Sequence, residues 1–559
     1  MTQPSEAPAR RPADAEQLDV AIVGAGFAGL YMLHRLRKLG FRTRVFEAAS
    51  DVGGTWFWNR YPGARCDVES MQYSYSFDEE LQQEWRWSER FAAQPEILRY
   101  INHVADRFDL RRDVVLDTRI ASARFDEATA CWTLQTQGGE RIVAPFCIMA
   151  TGCLSAARLP DFPGMADYRG KILHTGQWPH EGVAFDGLNV AVVGTGSSAI
   201  QSIPPIAAQA RHLTVFQRTP NFSVPARNWA MTPEYEERWK RDYAALRQRA
   251  RAETRSGTIY EFSDKGALQV DAQARKAEYE RRWQKGGANF MHAFNDILVD
   301  RQANDTAADF VRDKIRETVA DPERAEALLP HDHPLGTKRI CVDTDYYETF
   351  NRDNVSLVDI RATPIETLTE AGLRVGGRDY AFDAIVFATG FDAMTGALAA
   401  IDIRGRDGLA LKQAWASGPR TYLGLMSEGF PNLFTITGPG SPSVLSNVIV
   451  SIEQHVDWIA DCLDHLRQAG IRTIEPEPEA QEEWVAHVNE VAHRTLYPQA
   501  NSWYMGANIP GKTRVFMPYI GGVGAYRQIC EQVAANGYRG FRLMPAPGAD
   551  RLESLSVAS

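Results

Sequence analysis

The chain has 559 residues, more than one ordinary hydrophobic core organises, so more than one domain is expected. Its composition, 44% hydrophobic and 24% charged, is that of a soluble globular protein, and a net charge of −10 argues against nucleic acid or an anionic membrane surface as partner, because both require a basic footprint. No apolar run approaches the roughly 20 residues of a membrane span, and seven cysteines without a CxxC pair fit neither a disulfide framework nor a metal site, which points to a reducing, cytoplasmic setting.

Residues 1–14 lack an apolar stretch and read as a disordered tail, not a secretory signal. Residues 18–23 (LDVAIV) predict a short buried strand, followed by Gly24-Ala-Gly26-Phe27-Ala28-Gly29, a helical stretch ending at Gly40, and a second strand ending in Glu47. This is the dinucleotide fingerprint in its proper context. Gly24 serves the tight turn, Gly26 the approach of a pyrophosphate, Gly29 the packing of helix on strand, and Glu47 a ribose hydroxyl. The pyrophosphate is expected on the free N–H groups of the helix N-terminus.

The segment 146–154 (FCIMATGCL) runs a buried strand into Ala-Thr-Gly, and 382–392 (FDAIVFATGFD) repeats the pattern. In two-dinucleotide flavoproteins such strands return the chain from one nucleotide domain to the other. Between them, after a proline-rich linker at 154–164, a second fingerprint appears: LNVAVV (188–193), then Gly194-Thr195-Gly196-Ser197-Ser198-Ala199 and a helix that includes Gln201. Glu47 lies 23 residues after Gly24, and the residue at the same distance after Gly194 is Gln217, followed by Arg218 and Thr219. A carboxylate repels a 2′-phosphate, whereas an arginine holds one through a charge-assisted contact. The first loop therefore suits FAD and the second NADPH. Residues 226–334 carry charged amphipathic helix patterns with solvated faces.

The predicted fold class is α/β, with two Rossmann-like dinucleotide-binding domains and a helical insertion in the NADP domain. The FAD domain takes 15–154 and 391–545, the NADP domain 155–225 and 335–390, the insertion 226–334, and a C-terminal tail 546–559. With no cysteine pair to relay electrons, a flavin reduced by NADPH must pass them to O2 or a small acceptor.

Residues 168–179 (YRGKILHTGQWP) resemble the FxGxxxHxxxWP signature of type I Baeyer–Villiger monooxygenases through Tyr168, Gly170, His174 and Trp178, with Tyr in place of Phe at the first position. Residues 53–67 (GGTWFWNRYPGARCD) match the second signature of that family. The resemblance continues through 335–355, 438–447 and 502–516, covers nearly the whole chain, and is greatest to the phenylacetone and steroid branch. It implies an FAD- and NADPH-dependent enzyme that converts ketones and O2 to esters or lactones by way of a flavin C4a-peroxide. Arg339 matches the catalytic arginine of the family and Asp67 the carboxylate that orients it. Lys338, Arg218 and Thr219 match contacts to the coenzyme 2′-phosphate, Thr55, Trp56 and Tyr73 residues at the flavin, and Trp503 a tryptophan near the coenzyme ribose. Ser441, Val444, Leu445 and Val448 border the implied substrate pocket, Val448 standing where the phenylacetone-oxidising relative is expected to carry Met. His174 is read as a structural hydrogen-bonding residue.

A ketone and O2 are thus the implied partners of what is expected to be a monomer. An N-hydroxylating or sulfoxidising flavin monooxygenase and an NADPH oxidase remain alternatives, with Trp178-Pro179 and Asp67 weighing against the former.

Overall fold

A computed structural model describes residues 16–545; the two expected tails, 1–14 and 546–559, lie outside the described residues. The strand Val20–Val23 is buried along its whole length, as a strand covered on both faces must be. It lies at the centre of a parallel five-stranded sheet in the order Leu433–Thr435, Phe146–Met149, Val20–Val23, Thr43–Phe46, Val114–Val115. The helix Phe27–Lys38 covers it and packs against the long helix Val448–Gln468, where Tyr31 donates to Asp457 at 2.7 Å and Arg35 to Asp461 at 2.8 Å.

The second fingerprint builds a second parallel sheet of the same kind: Val355–Asp359, His212–Gln217, Asn189–Val193, Ala384–Phe387 and Lys171–His174. Its central strand Asn189–Val193 is again buried apart from its first residue. Beside these stand a mixed five-stranded sheet, in which Asp402–Arg404 adds to the meander 120–144, and a small antiparallel sheet over 365–381.

The stretch 226–334 folds into helices Pro233–Ala252, Ala272–Lys285, Arg301–Thr318 and Pro322–Ala327, opened by the side-chain caps Thr232, Asp271, Asp300 and Asp321. The expectation placed this whole stretch with the second nucleotide domain. The structure divides it instead. Trp239 and Tyr243 of the first helix join the core of the first sheet, whereas Tyr279, Trp283 and Phe310 join that of the second. Arg247 explains the allegiance of the first helix. It is buried and donates to the carbonyls of Met71 and Gln72 and to Ser74 Oγ, which clamps the helix to the segment carrying Tyr73.

Among the described residues no helix is long and apolar enough to cross a membrane, and no group of His, Cys, Asp or Glu is arranged to hold a metal ion. The seven cysteines are free thiols.

Candidate active site

The two glycine loops obey one rule. Gly24 has φ +103° and a Cβ there would lie 2.6 Å from the carbonyl oxygen of Ala150; Gly194 has φ +119° and a Cβ there would lie 2.6 Å from that of Ala388. Ala150 and Ala388 each open one of the Ala-Thr-Gly turns, so each turn passes directly under a glycine loop. That crossing, together with the positive φ, is what excludes a side chain. The helices that follow, at Phe27 and Ser197, have no acid in the first turn and no side-chain cap, whereas Asp271 and Asp300 cap helices of the 226–334 stretch. Their first N–H groups remain available to an anion, which fits the pyrophosphate of a dinucleotide at both places.

Around the first loop, Glu47 is buried and accepts from Ala25 N at 2.6 Å and Ala49 N at 2.8 Å, so its carboxylate is fixed beside the glycine turn. Phe27, Ala28, Trp56 and Tyr73 are buried; Trp56 Nε1 donates to Tyr73 Oη at 3.2 Å and Phe27 meets Tyr73 edge-on at 5.6 Å. Thr55 is exposed.

Around the second loop, Thr195 donates to the carbonyl of Thr219 at 2.6 Å, and Arg218 is exposed at the strand end. Gln217 is fully buried and donates to Ala327 O at 2.7 Å, while its Oε1 has no partner among the described residues. Lys338 comes from a distant part of the chain to the same corner. Burial lowers its ammonium pKa and the charge of Arg218 lowers it further, against the pull of Asp332 at 3.6 Å. Two cations crowded together in this way suit a dianionic phosphate between them. Ser197 Oγ lies 3.4 Å from Cys341 Sγ, and Ser198 Oγ 3.1 Å from Thr175 Oγ1. Gln201 turns its amide toward Tyr61 and Arg65.

Arg339 follows Lys338 and faces the other way. Its Nε and Nη2 donate to the two oxygens of Asp67 at 2.6 and 2.8 Å, and its Nη1 donates to the carbonyl of Val444 at 2.7 Å. Burial by itself would raise the Asp67 carboxyl pKa; the charge and hydrogen bonds of Arg339 outweigh it and hold the group below the ordinary carboxylate range. Burial disfavours the Arg339 cation too, but Asp67 more than compensates and its pKa lies well above the usual value.

The first signature divides along its length. Tyr168 packs against the second sheet and donates to Phe382 O at 2.9 Å, and Gly170 leaves the space that its phenol ring fills. His174 ends the edge strand, accepts from Gly176 N at 3.0 Å through Nδ1, and meets Phe391 edge-on at 6.2 Å. Its ring lies against the backbone of Arg158 and Gly390, and burial lowers its pKa, which favours the neutral ring between the linker and the second Ala-Thr-Gly turn. Trp178 is buried against Phe185 in the core of the second sheet.

The loop 438–448 closes the constellation. Val444, Leu445 and Trp503 share one apolar cluster with Met394, Tyr504 and Phe516. Ser441 is fully buried and its hydroxyl donates to Gly438 O at 2.7 Å, so it shapes the loop from within; Val448, partly buried, opens the long helix behind it. Tyr504 was not singled out from the sequence. It is buried beside Arg339, its ring centroid 4.2 Å from that of Trp503, and burial pushes its hydroxyl up to about 12. The only sequence signal for it is adjacency to Trp503.

Residues 17–233 match the family model described as flavin-binding monooxygenase-like. The chain is 44% identical over 529 residues to the acetone monooxygenase (methyl acetate-forming) of Gordonia sp. (strain TY-5), covering 94% of this chain and 99% of that protein. It is 43% identical to a Baeyer–Villiger monooxygenase of Pseudooceanicola batsensis (strain ATCC BAA-863 / DSM 15984 / KCTC 12145 / HTCC2597), over 93% of this chain and 95% of that one. The solved structure of oxidized steroid monooxygenase bound to NADP superposes with a TM-score of 0.91 at 53% identity, covering 95% of this chain and all of that one. With two nucleotide folds, a paired Arg339–Asp67 and relatives of this identity over nearly its whole length, the chain belongs to the type I Baeyer–Villiger monooxygenases, flavin enzymes that use FAD and NADPH.

Proposed function

We propose that the protein inserts one oxygen atom of O2 into aryl, cyclic or steroid-like ketones to give esters or lactones, acting as a cytoplasmic monomer. The observation that carries this reading is the fork of Arg339 on Asp67, held beside the apolar cluster of Val444, Leu445 and Trp503.

Bound FAD, once reduced by NADPH, supplies the electrons that activate O2. The residues of the chain do the rest. A guanidinium has five N–H donors, and three are committed to Asp67 and Val444. Of the two that remain, one on Nη1 and one on Nη2, one lies within hydrogen-bonding reach of the Tyr504 hydroxyl, and they would serve the carbonyl oxygen of a ketone as negative charge builds on it during attack. Because Arg339 stays protonated at every working pH, it stabilises that charge without giving up a proton. Asp67 keeps the fork oriented, and the Val444 carbonyl ties it to the substrate loop. Lys338, Arg218 and Thr219 would hold the 2′-phosphate, Glu47 the adenosine ribose of FAD, and Thr55, Trp56 and Tyr73 would line the flavin. Trp503 and the loop from Ser441 to Val448 exclude water, which would divert activated oxygen to H2O2. Val448 is a smaller residue than the expected Met and leaves a roomier pocket.

A panel of acetone, phenylacetone, cyclohexanone and a steroid ketone tests the proposal. NADPH consumption is expected to accelerate with the substrates, and chromatography to find the matching esters. Phenylacetone and the bulky cyclic ketone together report the pocket, and a preference for the larger ketone is expected. Failure of every ketone to yield an ester would overturn the reading.

A further inference from the structure

The loop that delivers Asp67 also grips the helix of the second glycine loop. Tyr61 Oη donates to Gln201 Oε1 at 2.8 Å, Arg65 N donates to the same oxygen at 3.4 Å, and Gln201 Nε2 donates to Arg65 O at 3.2 Å. Gly63, at φ +81°, lies flat against this contact: a Cβ there would sit 2.2 Å from the carbonyl oxygen of Gln201 and 3.3 Å from Pro205. The Tyr61 ring packs on the core of the second sheet, and burial keeps its hydroxyl protonated. Arg65 is held from the other side by Glu89 at 3.0 Å and by the carbonyl of Phe91 at 3.2 Å. Earlier in the same helix, Ser197 touches Cys341, two residues beyond Arg339. One helix therefore lies between the segment carrying Asp67 and the segment carrying Arg339.

We propose that Gln201 is a positioning residue, a latch that fixes the second nucleotide domain on the Tyr61–Arg65 loop and thereby keeps the Asp67–Arg339 pair in register with the helix that receives the coenzyme. A neutral amide meets the demand: its oxygen accepts from Tyr61 and Arg65 while its nitrogen donates to a carbonyl. Glutamate would lose the donor and methionine both functions at similar volume. The catalytic consequence rests on the monooxygenase reading above, but the latch itself can be read without turnover.

The test uses the FAD-loaded protein in four forms: wild type, Gln201→Met, Tyr61→Phe and the double variant. Hydrogen exchange of the peptide spanning residues 60–66, without NADPH, reports the latch. The share of NADPH ending as H2O2 at saturating NADPH and ketone reports the register. Tyr61→Phe, which loses one hydrogen bond, is expected to speed exchange by roughly three- to tenfold, and Gln201→Met, which loses three, by at least as much. Each is also expected to raise the peroxide share several-fold, with the KM for NADPH little changed. The double variant should be no worse than Gln201→Met, because the two residues share one bond. Gln201→Glu should fall between wild type and Gln201→Met.

A higher KM for NADPH with exchange and peroxide share unchanged would make Gln201 a coenzyme contact and overturn the latch. Faster exchange with an unchanged peroxide share would overturn the positioning role, as would independent, additive effects of the two single variants. If the wild type gives no ester, the monooxygenase reading fails, and the exchange result alone decides whether the latch exists.

Discussion

Arg339 and Asp67 are 272 residues apart in the chain, yet both carboxylate oxygens of Asp67 accept from the arginine, at 2.6 and 2.8 Å. A two-point fork fixes direction as well as distance, which a lysine ammonium at the same place would not do. Arg339→Ala should therefore leave reduction of the flavin by NADPH near the wild-type rate while ester formation falls by roughly 100-fold or more, the cost of removing one such donor. Arg339→Lys should recover only a small part. Rapid mixing separates the two phases, and unimpaired oxygenation in Arg339→Ala would remove the arginine from its role.

Asp67 carries a pH signature. Its folded pKa is depressed below the unfolded value, so the unfolded chain binds the proton more readily. The stabilisation is present at neutral pH and lost as pH falls through the folded pKa, below about 4. Wild type should exceed Asp67→Asn in Tm at pH 7, by roughly 1–3 kcal/mol in stability terms for a partly solvated pair. The gap should narrow as the pH falls below about 4, through the depressed folded pKa. A gap independent of pH would contradict the linkage.

Asp343 behaves in the opposite sense. It is buried next to Ser223 on the strand that follows Arg339, and burial, aided by Glu348 and Asp345, pushes its pKa up to about 7 against the hydrogen bond from Ser223. Here the folded state binds the proton more readily, so the contribution is fully favourable below the unfolded pKa and is lost as pH rises through the folded pKa near 7. Asp343→Asn should gain stability relative to wild type between pH 5 and pH 8, by an amount on the order of 1–3 kcal/mol. Thermal unfolding of both proteins across that range checks it.

Arg218 and Lys338 come to the same corner although 120 residues separate them; burial lowers the pKa of Lys338, and the charge of Arg218 adds to that lowering. Arg218→Ala should narrow the preference for NADPH over NADH by roughly 10- to 100-fold, the worth of one charge-assisted contact. Salt should weaken NADPH binding more steeply in wild type than in the variant. Steady-state kinetics with both coenzymes supplies the ratio, and an unchanged ratio would defeat the phosphate assignment.

What the sequence made legible were the features that repeat locally. The two glycine loops, the strands entering them and the paired Ala-Thr-Gly turns all show as short patterns, because parallel strands buried on both faces must be apolar throughout and a glycine under a crossing carbonyl has no room for a Cβ. Glu47 and Gln217-Arg218 were readable for the same reason: each stands a fixed distance beyond its loop. Arg339, Asp67 and Trp503 were reached only through resemblance, since nothing near any one of them announces the others. Tyr504 and the Tyr61–Gln201 contact were invisible, being pairings between segments that share no local pattern. The division of the 226–334 helices was equally hidden. Their charged faces look alike, and only Arg247, buried against the carbonyls of residues 71 and 72, shows which core the first helix joins. Ser441 illustrates the converse: it lies in the expected loop, but its hydroxyl is spent on Gly438.

The most direct measurement is isotopic. The purified FAD-loaded protein is supplied with NADPH, a ketone and ¹⁸O2, and the organic product is weighed by mass spectrometry. The expected product is an ester or lactone carrying one ¹⁸O atom, formed in proportion to the ketone-dependent NADPH consumed. NADPH consumption that ends in labelled H2O2 alone, or a product without the label, would contradict it.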